Sequence, residues 1–530
     1  MMESLEVVLA LLVAVTVFAV IARRLPIPYP ILLVLGGLIL GFIPGIPTVR
    51  LSPELVFLVL LPPLLYPAAL FTPWRDFHAN LRPISLLAIG LVLFTTVAVG
   101  YLANFFIQDL PLAAGFVLGA IVSPPDAVAA TSITRHIRVP RRIVSILDGE
   151  SLVNDATALV AYRFGVAAVI TGSFSLTHAG LLFLWVAVGG ALLGIFVGWL
   201  SSVILKPIDD PPIEITISIL TPFAAYLPAE QLGVSGVLAV VTAGLYNGWR
   251  IPEITTSRTR LQGGPVWEMI EFLLNGFIFI LIGLQLPSVL RNLAGRSIPQ
   301  LLWYALLISI AVIVIRILWV FPATYLPRLL SKNLRARDPC PPWQSVMIVG
   351  WTGMRGVVSL AAALALPLTV QNGSPFPGRD LILFLTFVVI LATLVVQGLS
   401  LPHFIRWLKV EDDGSAEREE RLARLKANQA ALARLTELAR ADKMDDQIVH
   451  RLRAEYEDRI SQLEASQNQE SRESRGLFSI EYEKLSREAL LVERQTILQL
   501  RNDRVINDEI LRLIQHDIDL AEARVIPRRD

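Results

Sequence analysis

The 530-residue sequence has a single cysteine, Cys340, in the polar stretch DPCPP. One cysteine excludes an intramolecular disulfide and any thiolate metal cluster built by this chain alone. The six histidines show no metal-ligand spacing such as HExxH. The stretch GESLV, which begins at Gly149, is not the G-x-S-x-G nucleophile elbow. We therefore expect neither an enzyme nor a bound cofactor.

Charge is scarce in most of the chain and concentrated near its end. Hydrophobic residues make up 54% of the sequence and the mean hydropathy is +0.60, which is typical of membrane proteins. The stretch from Glu411 to Asp530 nevertheless carries 21 basic and 27 acidic residues, more than half of all charges. We therefore expect a transmembrane domain over residues 1–410 and a cytoplasmic helical tail over residues 411–530.

The tail has apolar residues at three- and four-residue spacing with charges between them, as in ERLARLKANQAALARLTELARA. This pattern predicts helices throughout the tail. A small helical bundle that serves regulation or dimer contacts is favoured over a passive tail, and the sequence indicates no ligand for it.

Long apolar runs fill residues 1–410, so the predicted fold is an all-α membrane protein. A hydropathy window of about 19 residues gives about thirteen candidate transmembrane helices. The first run is followed by Arg23 and Arg24 and preceded by acidic residues, which predicts a retained helix and not a signal peptide. The approximate limits of the spans are 4–22, 28–44, 53–71, 83–106, 112–133, 142–170, 178–205, 213–228, 233–248, 266–288, 299–327, 344–368 and 380–407.

The loops between these spans hold basic residues unequally. If the loop after the first span is assigned to the inside and the others alternate, sixteen Lys and Arg lie inside and four outside. This division follows the positive-inside rule. It predicts a multi-pass protein of the cell (inner) membrane with its N-terminus outside and its tail in the cytoplasm. A missed span would disrupt the alternation between loops rich in basic residues and loops poor in them. An odd number of helices is therefore favoured.

Two aspartates fall within the spans. Asp126 lies about nine residues, or roughly 13 Å, before the basic loop at Arg135. Asp155 lies about thirteen residues, or roughly 20 Å, after Arg142. Both depths are near the middle of a hydrocarbon core of roughly 30 Å. Because charges at that depth are costly and usually functional, we expect the two aspartates to be neighbours on consecutive helices.

Two spans carry residues that interrupt helices. Pro124 and Pro125 remove two backbone donors in the fifth span. In the twelfth span Gly353 and Gly356 flank Arg355. Freed backbone groups inside a bilayer are tolerated only against protein, water or an ion. Two interrupted helices in corresponding positions of two halves predict the binding site of a secondary transporter.

The sixth span sorts its polar side chains onto two faces. Ser151 and Asp155 are four residues apart and share one face, while Glu150 and Asn154 share the neighbouring face. Oxygen atoms of Ser151, Asp155 and Asp126 are suited to a small monovalent metal cation or a proton. These three residues are the predicted metal ligands, and Asn154 completes the predicted ion-binding set.

Glu150 needs a cation in this apolar setting. Arg355, at the second interruption, is its predicted partner in a structural ion pair that holds the two halves in register. Arg163 and Arg316 are interpreted as structural partners or snorkelling residues in preference to ligands. For Glu271 and Asn275, which share one face of the tenth span, packing is favoured over ion contact.

Five motifs together resemble the bacterial branch of the monovalent cation:proton antiporter-1 family, the sodium/proton exchangers. The resemblance covers residues 1–410, and its Glu-Ser-Leu-x-Asn-Asp and Gly-x-Arg-Gly elements are specific when found together. The motifs are LPPLLY (61–66), SPPDAVAATS (123–132), GESLVNDATALV (149–160), EFLLNGFIFILIGLQL (271–286) and GMRGVVSLAAALALP (353–367).

The resemblance implies an inverted-repeat fold of thirteen helices, usually in a homodimer. It also implies that Asp155 alternately carries cation and proton, with Asp126 and Ser151 assisting. Asn154 in place of a second acid is associated in such families with electroneutral exchange. Relatives often carry an acid just after the LPPLLY-like element, where this chain has Pro67, so the preference among cations stays open.

An intramembrane aspartate accounts for exchange on physical grounds as well. In a low dielectric it becomes neutral by binding either a cation or a proton. If only the neutralised site crosses between inward and outward states, the two fluxes are coupled. We therefore expect a secondary antiporter that exchanges Na⁺, with Li⁺ or K⁺ as candidates, for H⁺, with no nucleic-acid partner. The alternatives are a K⁺/H⁺-preferring exchanger and a cation channel, although no continuous polar lining is visible.

Overall fold

The computed structural model divides into two compact units, Met1–Asp412 and Asp413–Asp530. The division falls close to residue 410, where the charge distribution changes. The regulatory or dimer-contact role of the second unit stays a prediction. The described residues are 2–22, 24–25, 28–43, 55–126, 139–172, 176–293, 295–371, 373–410, 412, 414–441, 446–465, 469–503, 505 and 508–525.

Helices account for most of the described residues of the first unit. Three π-helical stretches, Leu55–Leu60, Leu86–Leu91 and Thr393–Gln397, run directly into the α-helices that follow them. The α-helices are α1 (Met2–Ala22), α2 (Tyr29–Gly41), α3 (Leu61–Leu70), α4 (Trp74–Ala79), α5 (Leu81–Ser85), α6 (Val92–Phe106), α7 (Leu112–Val122), α8 (Arg141–Thr171), α9 (Leu176–Leu205), α10 (Pro211–Gln231), α11 (Gly236–Ile254), α12 (Ser257–Asn292), α13 (Ile298–Leu330), α14 (Lys332–Arg337), α15 (Trp343–Trp351), α16 (Val357–Leu364), α17 (Arg379–Ala392) and α18 (Gly398–Leu408).

Seven helical spans within the described residues are long and apolar enough to cross a membrane. Shorter apolar helices, such as Tyr29–Gly41 and Leu112–Val122, accompany them. The predicted all-α membrane fold is therefore confirmed, whereas the count of thirteen helices stays a prediction. The seven long spans are Leu81–Phe106, Arg141–Thr171, Gly180–Leu205, Pro211–Gln231, Ser257–Arg291, Ile298–Leu330 and Arg379–Leu408.

Local sequence determines where several helices begin. Asp210 precedes Pro211, and its side chain accepts a hydrogen bond from the Ile213 amide at 3.4 Å. Ser235 caps α11 in the same way through the Leu238 amide at 3.2 Å. These side chains satisfy amides that have no partner in the first turn, and a proline at the first position has no amide to satisfy.

Small residues allow close helix contacts in the first unit. α2 packs along α12. A Cβ atom added to Gly37 would overlap the Ile280 carbonyl oxygen, and one added to Gly283 would overlap the Val34 carbonyl oxygen. Such close approach strengthens dispersion contacts, which hold membrane helices together where lipid provides no hydrophobic driving force.

The second unit has its own small core. Ile497, Leu511 and Ile518 are buried between its last two helices. Arg494 pairs with Asp519 at 2.7 Å across the same two helices. The helices of this unit are α19 (Ser415–Ala441), α20 (Asp446–Ala465), α21 (Gln469–Asn502) and α22 (Asp508–Val525).

Three arginines from separate helices converge on Asp338, in the loop after α14. Arg142 Nη2 donates to Oδ1 at 2.8 Å, while Arg82 Nη2 and Arg328 Nη2 donate to Oδ2 at 2.9 and 2.7 Å. Burial raises the pKa of Asp338, but hydrogen bonding to Arg142 and the charges of the three guanidinium groups outweigh burial. The pKa therefore lies below its ordinary value. This carboxylate joins α5, α8 and α13.

Replacing Asp338 by Asn is expected to lower the stability of the protein by about 1 kcal/mol at neutral pH, because partly exposed ion pairs are screened by solvent. A carboxyl group whose folded pKa is depressed contributes stability above its unfolded pKa of about 3.9 and loses it as the pH falls through the folded value. The difference in thermal unfolding midpoint between the two proteins should thus be constant from pH 7 to pH 5 and shrink only below about pH 4. A difference that shrinks between pH 7 and pH 5 would contradict this assignment.

Candidate functional site

Two helices of the first unit are interrupted. α7 is followed by non-helical backbone at 123–126, and residues 127–138, the rest of that predicted span and its loop, lie outside the described residues. α15 and α16 are separated by non-helical backbone at 352–356. These stretches include the helix-breaking residues predicted from the sequence, which are Pro124, Pro125, Gly353 and Gly356.

The two interruptions bond to each other. The Asp126 amide donates to the Met354 carbonyl oxygen at 2.7 Å. Arg355 Nε donates to the Val122 carbonyl oxygen, the last of α7, at 2.9 Å, and Arg355 Nη1 donates to the Gly353 carbonyl oxygen. Backbone groups that the interruptions free therefore have partners in the protein, as an apolar membrane interior requires.

The packing of Gly356 and the hydrogen bond to Thr393 determine how closely the two interruptions approach each other. A Cβ atom added to Gly356 would overlap the Asp126 carboxylate, so only glycine leaves room for that side chain. The Arg355 amide donates to Thr393 Oγ1 at 3.1 Å, which links the second interruption to the π-helical stretch that begins at Thr393. The position of Asp126 thus depends on packing around the second interruption.

One face of α8 secures the first interruption. Asn154 Nδ2 donates to the Pro125 carbonyl oxygen at 2.9 Å, and the side chain is fully buried. Asn154 is not among the residues that line the cavity beside Asp155. The amide therefore positions the backbone next to Asp126, and its predicted part in ion binding stays a prediction.

Glu150, on the same face of α8, has a different partner from the predicted one. Arg316 Nη1 and Nη2 bind Glu150 Oε1 and Oε2 at 2.5 and 2.8 Å, and both side chains are almost completely buried. Arg316 Nε also donates to the Val349 carbonyl oxygen at 3.2 Å. The prediction that Arg355 pairs with Glu150 is wrong, because the Arg355 guanidinium is engaged by the backbone carbonyls of the interruptions.

The other face of α8 borders a cavity of about 220 Å³. Asp155, Ser151 and Asp126, the three predicted metal ligands, all line it. Asp155 is buried, and its carboxylate lies close enough to that of Asp126 for the two charges to repel. The structure therefore brings together the oxygen atoms that the sequence predicted would meet.

The cavity follows α8 from its beginning to its middle. Val144, Asp148, Ser151 and Asp155 line it at three- or four-residue steps, so they form one stripe along the helix. Pro73, which follows α3, also lines the cavity. The cavity thus extends from the buried aspartates toward the beginning of α8, which is basic.

Sequence reasoning missed some of the lining residues. Asp148 lies seven residues before Asp155, on the same helical face, and that spacing was the signal that could have identified it. Glu271 and Asn275, for which packing was favoured over ion contact, line the cavity from α12, and Ser359 lines it from α16. Helical spacing put Glu271 and Asn275 on one face, but it did not indicate what that face meets.

The oxygen-bearing side chains of the cavity are suited to a monovalent cation. Carboxylate and hydroxyl oxygens suit hard monovalent ions. The part of the chain that the structure describes contains no group of three or more His, Cys, Asp or Glu that could hold a metal ion. Interrupted helices that meet beside membrane-embedded carboxylates are the architecture of secondary transporters. The fold and the site therefore define a membrane transport protein.

Residues 8–407 match the family model that is described as the transmembrane sodium/hydrogen exchanger. The chain belongs to this family. In fold it is similar to the sodium proton antiporter MjNhaP1 from Methanocaldococcus jannaschii, with a TM-score of 0.60 at 21% identity. That match covers 77% of this chain and 99% of the other.

Curated relatives match over most of the chain. A Mycobacterium tuberculosis protein described as an uncharacterized Na⁺/H⁺ exchanger is 37% identical, over 99% of this chain and 97% of its own. The Na⁺/H⁺ antiporter of Aphanothece halophytica is 33% identical, over 92% and 91%. A sodium, potassium, lithium and rubidium/H⁺ antiporter of Bacillus subtilis is 36% identical, over 76% of this chain and 61% of its own.

Replacing Glu150 by Gln is expected to destabilise the fold by about 3–5 kcal/mol, because Arg316 would then be buried without a counter-charge. Glu253→Gln is the matched control, since Glu253 is exposed and pairs with Arg250 at the surface. That change should cost about 1 kcal/mol or less. Thermal unfolding of the purified proteins, followed by intrinsic fluorescence, measures both.

The double variant Glu150→Gln/Arg316→Gln should recover part of the loss, because it removes both buried charges. Equal unfolding midpoints for Glu150→Gln and Glu253→Gln would contradict a structural role for the buried pair.

Proposed function

We propose that this protein is a secondary active antiporter that exchanges Na⁺ for H⁺, with Asp155 as the shared binding group. The observation that carries this proposal is the cavity in which Asp155, Asp126 and Ser151 meet beside the two interrupted helices. Membership of the sodium/hydrogen exchanger family and the names of the relatives support the same activity.

Competition at Asp155 couples the two ions. A carboxylate buried in a low dielectric is unstable as a bare charge, and binding a metal cation or a proton removes that charge. The neighbouring Asp126 carboxylate increases the demand for a positive partner. The bound cation must leave before a proton binds, and the proton must leave before a cation binds. Cation and proton therefore occupy the site in turn.

Alternating access converts competition into exchange. The cavity extends from Asp155 toward the basic beginning of α8, and the positive-inside rule places basic loops in the cytoplasm. This arrangement corresponds to an inward-facing state with the N-terminus outside. Movement to an outward-facing state carries a neutralised site across, whereas the empty, charged site is held back by its desolvation cost.

Electroneutral exchange follows from the residue before Asp155. Asn154 is an amide, and its Nδ2 is used by the Pro125 carbonyl oxygen. A second acid at this position would add a charge that must be neutralised in each half-cycle. With Asn154 there, one Na⁺ replaces one H⁺ and no net charge moves.

The cation range extends beyond Na⁺ in this proposal. The Bacillus subtilis relative is named for sodium, potassium, lithium and rubidium. The cavity of about 220 Å³ is larger than any of these ions, so size alone does not exclude Li⁺ or K⁺.

The protein acts in the cell membrane as a homodimer, with the helical tail of the second unit in regulation or dimer contacts.

Replacing Asp155 by Asn is expected to abolish exchange while the protein still inserts and folds. The amide keeps the shape of the side chain but carries no charge for cation and proton to share. The assay uses membrane vesicles with an imposed pH gradient, to which Na⁺, Li⁺ or K⁺ is added, and wild-type protein should dissipate the gradient. Asp109→Asn is the control, because Asp109 is an exposed residue with a surface partner.

Exchange at the wild-type rate in Asp155→Asn would refute the assignment. Gradient dissipation accompanied by an electrical current would indicate the channel alternative and contradict electroneutral antiport.

A further inference from the structure

α12 contributes a second set of polar side chains to the cavity that holds Asp155. Glu271 and Asn275 lie one helical turn apart, and both line it. Glu271 is half-buried, and Asn275 is almost fully buried. These residues line the same cavity as Asp155, but from a helix other than α8.

The α3 wall of the same cavity is apolar. Leu61, Leu64, Leu65, Pro67 and Ala68 line it there, and none of them carries a side-chain oxygen. A cation that leaves water for this cavity must replace lost hydration with oxygen atoms on more than one side. Besides α8 and the first interruption, α12 is the part of the lining that supplies a carboxylate.

The Asn275 amide is suited to a ligand. Its Nδ2 has no hydrogen-bond partner within the described residues, although the side chain is only 2% exposed. The two ends of an amide are interchangeable by a half-turn, which would present the oxygen atom in place of the unpartnered nitrogen. In that orientation Asn275 offers an oxygen next to the carboxylate of Glu271.

We propose that Glu271 is a further specificity- and affinity-determining residue for the transported cation. It acts from the α12 wall of the cavity and is supported by Asn275. The inference rests on the proposed function, because it concerns the cation that Asp155 exchanges. Glu271 adds negative charge that favours the cation in the cavity, whereas Asp155 remains the group on which cation and proton alternate.

The test measures the Na⁺ concentration that gives half-maximal exchange (the half-saturating concentration) in vesicles at fixed pH. Glu271→Gln should raise this concentration roughly tenfold and leave the maximal rate within about twofold, since one nearby charge contributes an interaction of that order. Glu268→Gln is the matched control, because Glu268 lies on the same helix but is exposed and does not line the cavity. It should behave as wild type.

A rescue variant separates charge from structure. Ala68 is an exposed residue of α3 that lines the cavity, so Ala68→Glu in the Glu271→Gln protein adds a carboxylate to the lining. The half-saturating concentration should return to within about threefold of the wild-type value. If Glu271→Gln does not insert, Glu271→Asp replaces it, and a rise of roughly threefold with an unchanged maximal rate is expected.

Three outcomes would overturn the inference. The first is an unchanged half-saturating concentration in Glu271→Gln, or in Glu271→Asp where the Gln variant does not insert. The second is a fall in the maximal rate alone. The third is an Ala68→Glu rescue variant that behaves like Glu271→Gln. Asp155→Asn, run in the same assay, keeps the two proposals distinct. If it still exchanges, the proposed function fails, whereas an inactive Asp155→Asn with a wild-type Glu271→Gln defeats only the role of Glu271.

Discussion

The unpaired backbone of two interrupted helices is the constraint on which the rest of this structure depends. Inside a membrane every freed amide and carbonyl needs a partner within the protein or from an ion. The interruptions meet this need by bonding to each other, through the Asp126 amide and the Met354 carbonyl oxygen and through the Arg355 side chain and the Val122 carbonyl oxygen. Asp126 is consequently placed beside Asp155 by backbone geometry.

The two faces of α8 separate structural charge from exchangeable charge. Arg316 binds both oxygens of Glu150, so this carboxylate is not available to a cation. Asp155, one turn further along on the adjacent face, borders the cavity. A site that must accept and release ions has to be left without a fixed counter-charge, and the pairing of Glu150 elsewhere makes this possible. The same helix thus stabilises the fold and, in the proposed mechanism, binds the ion.

Much of this arrangement could be predicted from the sequence, because its signals are local. Apolar runs of membrane length predicted the helices, Pro124 and Pro125 predicted an interruption, and four-residue spacing put Ser151 and Asp155 on one face. Tertiary partners were beyond such reasoning. Arg316 and Arg355 are both intramembrane arginines, and only packing decides which one reaches Glu150. Likewise, the face shared by Glu271 and Asn275 was visible, but the cavity it borders was not.

The central claim, that cation and proton compete for one carboxylate, is tested most directly by measuring exchange over a range of Na⁺ concentrations at several pH values on the cytoplasmic side. Competition predicts that acidification raises the half-saturating Na⁺ concentration, approaching tenfold per pH unit in the acid range, while the maximal rate stays constant. A maximal rate that changes with pH while the half-saturating concentration stays fixed would show separate sites for the two ions and contradict the account.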